Sequence, residues 1–151
     1  MLKIFLLPCS RFGAHTRLSS PSGLGKDQVT AYSLPSNLQL NQWGLAGSWL
    51  VDKEKATLTK PSGKIAFRFH ARDLHLVLSA GQDGKPIRFK VLLDGVIPSL
   101  SHGVDTDEQG NGVIKAQRLY QLIRQSKDIG EHTFSIEFLD DGVQAFAFTF
   151  G

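Results

Sequence analysis

Three observations predict an all-β fold built as a two-sheet antiparallel β-sandwich. Apolar and polar residues alternate with a period of two in most of the apolar segments. Turn signals separate these segments roughly every eight to twelve residues. The last third is the clearest case: Phe134, Ile136 and Phe138 alternate with Ser135 and Glu137, and Phe146, Phe148 and Phe150 alternate with small residues. Such a pattern turns one face of each strand inward. Asp140-Asp141-Gly142 between the two runs reads as the turn of a closing hairpin.

The elements follow in chain order. Residues 1–16 open with Met1-Leu2-Lys3 and a short apolar run, Ile4–Leu7. That run is too short for a secretory core and no small-x-small cleavage site follows it, so the segment reads as a strand remnant or a ragged start. Residues 17–42 are rich in Ser, Gly, Pro, Gln and Asn and read as an extended linker lying against the module. From Trp43 the texture changes, and residues 43–151 form the predicted sandwich. Gly47–Val51 and Ala56–Thr59 are short strands split by Asp52-Lys53-Glu54, and Pro61-Ser62-Gly63 is a turn. Ile65, Phe67 and Phe69 face one way and Arg68 and His70 the other. Leu74, Leu76 and Leu78 repeat the pattern. After the turn Gln82-Asp83-Gly84 come Ile87, Phe89, Val91 and Leu93, set against Arg88, Lys90 and Asp94. A long loop leads to Gly112–Lys115 and Arg118–Arg124. Leu119, Leu122 and Ile123 also fit helical spacing, and only the neighbouring strands favour the β reading there.

Composition narrows the function. The chain has 151 residues, 41% hydrophobic and 21% charged, with a net charge of +3, as in one ordinary globular domain. No Lys/Arg cluster interleaves with aromatics, which argues against nucleic acid. No stretch reaches transmembrane length. Cys9 is the single cysteine, so a dithiol pair and a cysteine zinc site are both excluded within these residues.

The strings LNQWGLAGSW (40–49), IAFRFHARDLHLVL (65–78), RFKVLLDG (88–95), HGVDTDEQGNG (102–112), RLYQLIRQ (118–125) and GVQAFAFTFG (142–151) together resemble the C-terminal module of the DipZ family. These are bacterial cytochrome c biogenesis and thiol–disulfide redox proteins. The resemblance implies an extracytoplasmic setting, a preceding thioredoxin-like domain, and a jelly-roll sandwich of the galactose-binding, carbohydrate-module type. Residues around Phe12-Gly13-Ala14 and Arg17 are similar to the end of that thioredoxin-like domain. On this reading residues 1–42 are a remnant of a preceding domain plus the linker. Dithiol exchange does not carry over to a chain with one cysteine.

Sugar recognition needs aromatic faces for C–H surfaces and planar polar groups for hydroxyls. Trp43, Trp49 and Tyr120 are the available aromatics. Trp49 reads as a core anchor, Tyr120 as partly buried, and Trp43 stands open between core and platform. Arg72, Arg88, Arg118, Asp94 and His70 are candidate hydroxyl partners. His102 is a further candidate, because Asp105 could orient its ring. In Asp105-Thr-Asp107-Glu-Gln109-Gly-Asn111, the spacing of Asp105, Asp107 and Asn111 suggests a weak structural calcium site. The twelfth position is Ala116 rather than a bidentate Glu, which breaks the match to an EF-hand loop. No nucleophile elbow or phosphate loop is present. The expectation is a non-catalytic module that binds carbohydrate. The alternative is a structural module that docks on a thioredoxin-like protein or on a second copy of itself.

Overall fold

The apolar faces of the alternating segments meet across two sheets. A computed structural model describes residues 3–6, 17–18 and 28–151. Expectations placed on residues 7–16 and 19–27, including those for Cys9 and for Phe12-Gly13-Ala14, lie outside the described residues. The strands are β1 (Lys3–Leu6), β2 (Arg17–Leu18), β3 (Val29–Tyr32), β4 (Gln42–Val51), β5 (Ala56–Leu58), β6 (Gly63–His70), β7 (Asp73–Ser79), β8 (Ile87–Leu93), β9 (Asn111–Ile114), β10 (Arg118–Arg124), β11 (Glu131–Phe138) and β12 (Gln144–Phe150). The one helical turn among the described residues is a 3-10 turn, Ser99–Ser101.

The first sheet runs β10-β7-β12-β5-β4, with β3 on the far side of β4 and β1 alongside β12. The second runs β4-β6-β11-β8-β9. All of these pairs are antiparallel, and β2 joins the start of β4 in parallel. β4 belongs to both sheets: Trp43–Ala46 pair with β6, and Gly47–Val51 pair with β3 and β5. The change of sheet falls at Gly47, whose φ of +100° suits glycine alone. A Cβ there would also lie 3.0 Å from the Gly63 Cα.

Aromatic rings fill the space between the sheets. Phe67 of the second sheet lies 4.8 Å from Phe148 and 5.2 Å from Phe150 of the first, centroid to centroid. Phe134 meets Phe148 edge-on, and Trp49 meets Phe138 in the same manner. Offset and edge-to-face pairs at such distances add to the stabilisation from area burial alone.

The sandwich is the expected one, with three differences in detail. The last two strands do not form a hairpin. β11 pairs with β6 and β8 in the second sheet, whereas β12 pairs with β7, β5 and β1 in the first. Each strand buries one apolar face, and two such faces can oppose each other across a core as well as lie side by side. The connection crosses between the sheets, tied by Leu139 N to Arg88 O and Gly142 N to Leu58 O.

The second difference is in β12, where a bulge between Ala145 and Ala147 shifts the phase of the alternation. Ala145, Phe148 and Phe150 are buried, while Phe146 at the bulge is only half-buried. Thirdly, β4 starts at Gln42 rather than Gly47, because a strand that changes sheet shows no single alternation along its length. Arg118–Arg124 is the strand that its neighbours favoured, since every residue from Arg118 to Gln121 pairs with β7. Within residues 17–42, Val29–Tyr32 form β3 and bury Tyr32.

Truncating Phe148 to Ala is expected to cost about 3–5 kcal/mol in urea unfolding. Phe146→Ala should cost about 1 kcal/mol or less. Equal losses in the two variants would contradict the bulge.

Candidate functional site

The two aromatics offered as sugar platforms are core residues. Trp43 and Tyr120 are each 1% exposed. Trp43 lies on the inward face of β4, opposite Phe67 of β6, and cannot present its face to a ligand. Tyr120 points inward from β10; its hydroxyl donates to Ala116 O (2.6 Å) and accepts from Lys115 N (3.2 Å). The Arg118 guanidinium covers its ring, with Cζ 3.9 Å from the centroid. Period-two alternation says that a residue faces inward or outward only once the strand's phase is known, and the phase of β4 was the part obscured by its bend.

Most of the polar candidates serve as ties between loops and strands. Arg88 grips Asp140 through Nε (3.0 Å) and Nη2 (2.9 Å), and its backbone N–H donates to the same carboxylate. These bonds hold the Asp140 carboxyl down at about 2 and raise the Arg88 guanidinium. Arg118 forks onto Asp105, with Nη2–Oδ1 at 2.6 Å and Nη1–Oδ2 at 3.2 Å. Asp105 Oδ2 also accepts from Gln121 N at 2.7 Å. Burial works to raise the Asp105 pKa, but the bonds from Arg118 and Gln121 prevail and lower it.

Asp94 sits in a tight turn with Gly95, both at positive φ. One carboxylate oxygen accepts from Thr133 N (2.8 Å) and the other from His132 Nδ1. Burial again opposes the shift, and these two partners with Arg68 lower the pKa. Arg72 pairs with its neighbour Asp73 at 2.8 Å, and His70 is exposed at the end of β6 opposite Glu131.

The pairing of His102 with Asp105 does not form. His102 Nδ1 donates to Gly103 O (2.8 Å), and Asp105 faces Arg118 instead. The calcium reading is corrected on the same grounds. Asp105 is taken by a guanidinium, and Asp107 Oδ1 accepts the N–H groups of Gln109 and Asn111, an acidic turn closed on its own backbone. Among the described residues no three His, Cys, Asp or Glu side chains converge as a metal site would require.

A different surface carries the geometry of a binding site. On the outer face of β6 and β11, small residues leave a trough of about 450 Å³. Ala66, Thr133 and Ser135 form its floor, and Leu34–Leu38 rise along one side. Arg68 stands in it, donating through Nη1 to Thr133 Oγ1 (2.9 Å) and through Nε to Glu131 Oε1 (3.3 Å). The trough therefore joins an apolar wall to a guanidinium, a carboxylate and two hydroxyls in one row. The alternation of β6 and β11 marks these residues as outward-facing. It does not reveal that the segment before β4 walls them in.

The sequence model of the thioredoxin-like C-terminal domain matches residues 12–151. The chain belongs to that family. The thioredoxin-like C-terminal domain has likenesses of fold among solved structures. A family two carbohydrate esterase from Cellvibrio japonicus superposes with a TM-score of 0.54 at 15% identity, over 72% of this chain and 30% of that one. A family GH115 4-O-methyl-α-glucuronidase with specificity for decorated arabinogalactans gives 0.39 at 17% identity, over 63% and 14%. The domain thus spans less than a third of the length of either enzyme. No curated protein matches the chain in sequence. The esterase likeness is one of fold, that of a β-sandwich within a carbohydrate-active enzyme. Among the described residues no helix is long and apolar enough to cross a membrane.

Two outcomes follow from these contacts. A carboxyl held at about 2 in the fold, against about 3.9 when free, adds stability above pH 4 that is lost as pH falls toward 2. In thermal unfolding between pH 2 and pH 6, Arg88→Gln should be less stable than the parent at pH 6, with the gap closing toward pH 2. Salt should narrow the gap, since both side chains are substantially exposed. Trp43→Ala should destabilise the fold by about 3–5 kcal/mol, as removal of a core aromatic does. Near-native stability would restore it as a surface platform.

Proposed function

We propose that this domain is a non-catalytic, carbohydrate-binding module, extracytoplasmic and accessory to a thioredoxin-like redox protein of the DipZ type. The observation that carries this reading is the trough on the outer face of β6 and β11. A sugar ring offers C–H surface on its faces and hydroxyls around its edge. Leu34, Pro35 and Leu38 supply apolar contact, and Arg68, Glu131, Thr133 and Ser135 supply donors and acceptors along the floor. The carbohydrate-active enzyme with the similar sandwich supports the reading as an analogy of fold. The polar pairs described above are engaged as structural ties, which supports binding over catalysis.

A second reading is favoured by a specific surface. The connection between β8 and β9 exposes Val96, Ile97, Leu100 and Val104 at one end of the sandwich. An apolar loop of this kind suits contact with the thioredoxin-like domain or with another copy of this one.

The test is a screen of the purified protein against neutral and bacterial cell-wall glycans, with Arg68→Ala in parallel. Saturable binding that weakens at least about tenfold in the folded variant, or about 1.4 kcal/mol, is the expected result. Silence from folded parent protein would overturn the glycan reading in favour of docking. A mass above the monomer in light scattering would then identify self-association.

A further inference from the structure

Three rows of outward-facing side chains cross the second sheet in register. The first is Lys64 on β6, Glu137 on β11 and Lys90 on β8, with Lys64 and Glu137 joined at 3.9 Å. The middle row is Ala66, Ser135 and Leu92 on the same three strands. The third is Arg68 opposite Thr133, continued just beyond β8 by Asp94. Asp94 N donates to Thr133 O, and Thr133 N donates to the Asp94 carboxylate. Long charged side chains therefore stand on either side of a lower middle row.

The trough draws its floor from the middle and third rows. Its other lining comes from Leu34–Leu38, which lead toward β4, and from Gly95, which follows β8. β4 and β8 lie on opposite flanks of the β6–β11 pair. With strands about 5 Å apart, β4 to β8 spans about 15 Å, whereas neighbouring rows on one face are only about 7 Å apart. The long axis of the trough thus runs across the strands. A pyranose ring fills the short dimension and only part of the long one.

Free hydrogen-bonding groups are spread along that axis. Arg68 uses Nε and Nη1 on Glu131 and Thr133, and its Nη2 has no partner among the described residues. The side chains of Ser36, Asn37 and Ser135, also on the lining, are likewise unpartnered among the described residues. The charges beside them cancel: Lys64, Lys90 and Arg68 stand with Glu137, Glu131 and Asp94. A carboxylate entering beside Arg68 would meet Glu131 and Asp94 as well, and like charges brought together oppose binding.

We infer, on the glycan reading of the trough, that its ligand is an extended, uncharged sugar chain of more than one ring, laid across the strands of the second sheet. One ring lies over Ser135 and Arg68, and the next continues the chain past Ser36 and Asn37. Leu34, Pro35 and Leu38 meet the C–H faces.

The experiment is isothermal titration calorimetry of the full 151-residue chain with two series that form extended chains. One is glucose, cellobiose and cellotriose; the other is mannose, β-1,4-mannobiose and β-1,4-mannotriose. Trigalacturonic acid serves as the charged trimer. At least one neutral series is expected to tighten by about tenfold or more from one ring to three. The acidic trimer should bind no better than a single neutral ring. Amide NMR with the tighter trisaccharide should shift Ser36, Asn37, Gly95 and Ser135 together. Equal affinity for one ring and three, or tightest binding by trigalacturonic acid, would overturn the assignment while leaving the trough a sugar site. Shifts confined to β11 from Glu131 to Glu137 would lay the ligand along the strands and overturn it too. Silence from every sugar in these series would also overturn it, and only silence across the wider glycan screen would remove the trough reading as well.

Discussion

The rest of the structure depends on the passage of β4 from one sheet to the other. Two sheets with apolar inner faces could stack in many offsets. A strand shared by both removes that freedom, because its two halves are paired on either side of a single residue. Gly47 makes the bend with a φ that side-chain-bearing residues rarely adopt, and a Cβ there would press on the Gly63 Cα at 3.0 Å. The vacant side of Gly63 is filled by Leu58 of β5, where a Cβ would come within 2.1 Å of the leucine. On either side of the bend stands a tryptophan. Trp43 enters the core from the half paired with β6, and Trp49 from the half paired with β5, its indole N–H bonded to Ala46 O at 2.8 Å. These two residues set the separation of the sheets, so they are unavailable to a ligand.

Loops at the sandwich ends are held by charge-assisted pairs, each joining a connection to a strand distant in sequence. Arg88 holds the crossing between β11 and β12 through Asp140, Arg118 holds the acidic loop through Asp105, and Asp94 holds the start of β11 through Thr133 and His132. Exposed pairs of this kind add little to stability. Their effect here is more geometric than energetic. They fix where the loops lie and so shape the surfaces that the loops enclose. Glycine contributes to the same end: at Gly103 a Cβ would meet Gln121 O at 2.1 Å, so the acidic loop can lie flat against β10 only because that position is bare.

Polar side chains also line two recesses between loops and strands. One is the row of Arg68, Glu131, Thr133 and Ser135 beneath Leu34–Leu38, where β6 and β11 present small residues outward. The other is the cleft lined by Gln125 and His132. A site without a reactive pair of titratable groups and with planar hydrogen-bonding side chains is suited to recognition, and the fold is one that a carbohydrate esterase also contains. Membership of the thioredoxin-like C-terminal domain family associates this β-sandwich with thioredoxin-like proteins.

The alternation of apolar and polar residues by itself determined that the chain is all-β, and also the inner face of most strands from β6 onward, because the pleat has a period of two whatever the partner strand. The ordered strings from Leu40 to Gly151 likewise carried the family. What the tertiary structure decided was strand partnership and the use of each polar group. Period two does not distinguish β11 and β12 paired as a hairpin from β11 and β12 facing each other across the core, and it fails where β4 bends at Gly47 and where β12 bulges at Phe146. Trp43 read as open between core and platform because its phase lay on the far side of that bend. Arg88, Arg118 and Asp94 read as ligand partners because an ion pair between residues 52, 13 or 38 positions apart leaves no mark in the local sequence. Gln125 has no local signature either: its side-chain nitrogen ties Ala71 and Gly130, which only the three-dimensional fold brings to it.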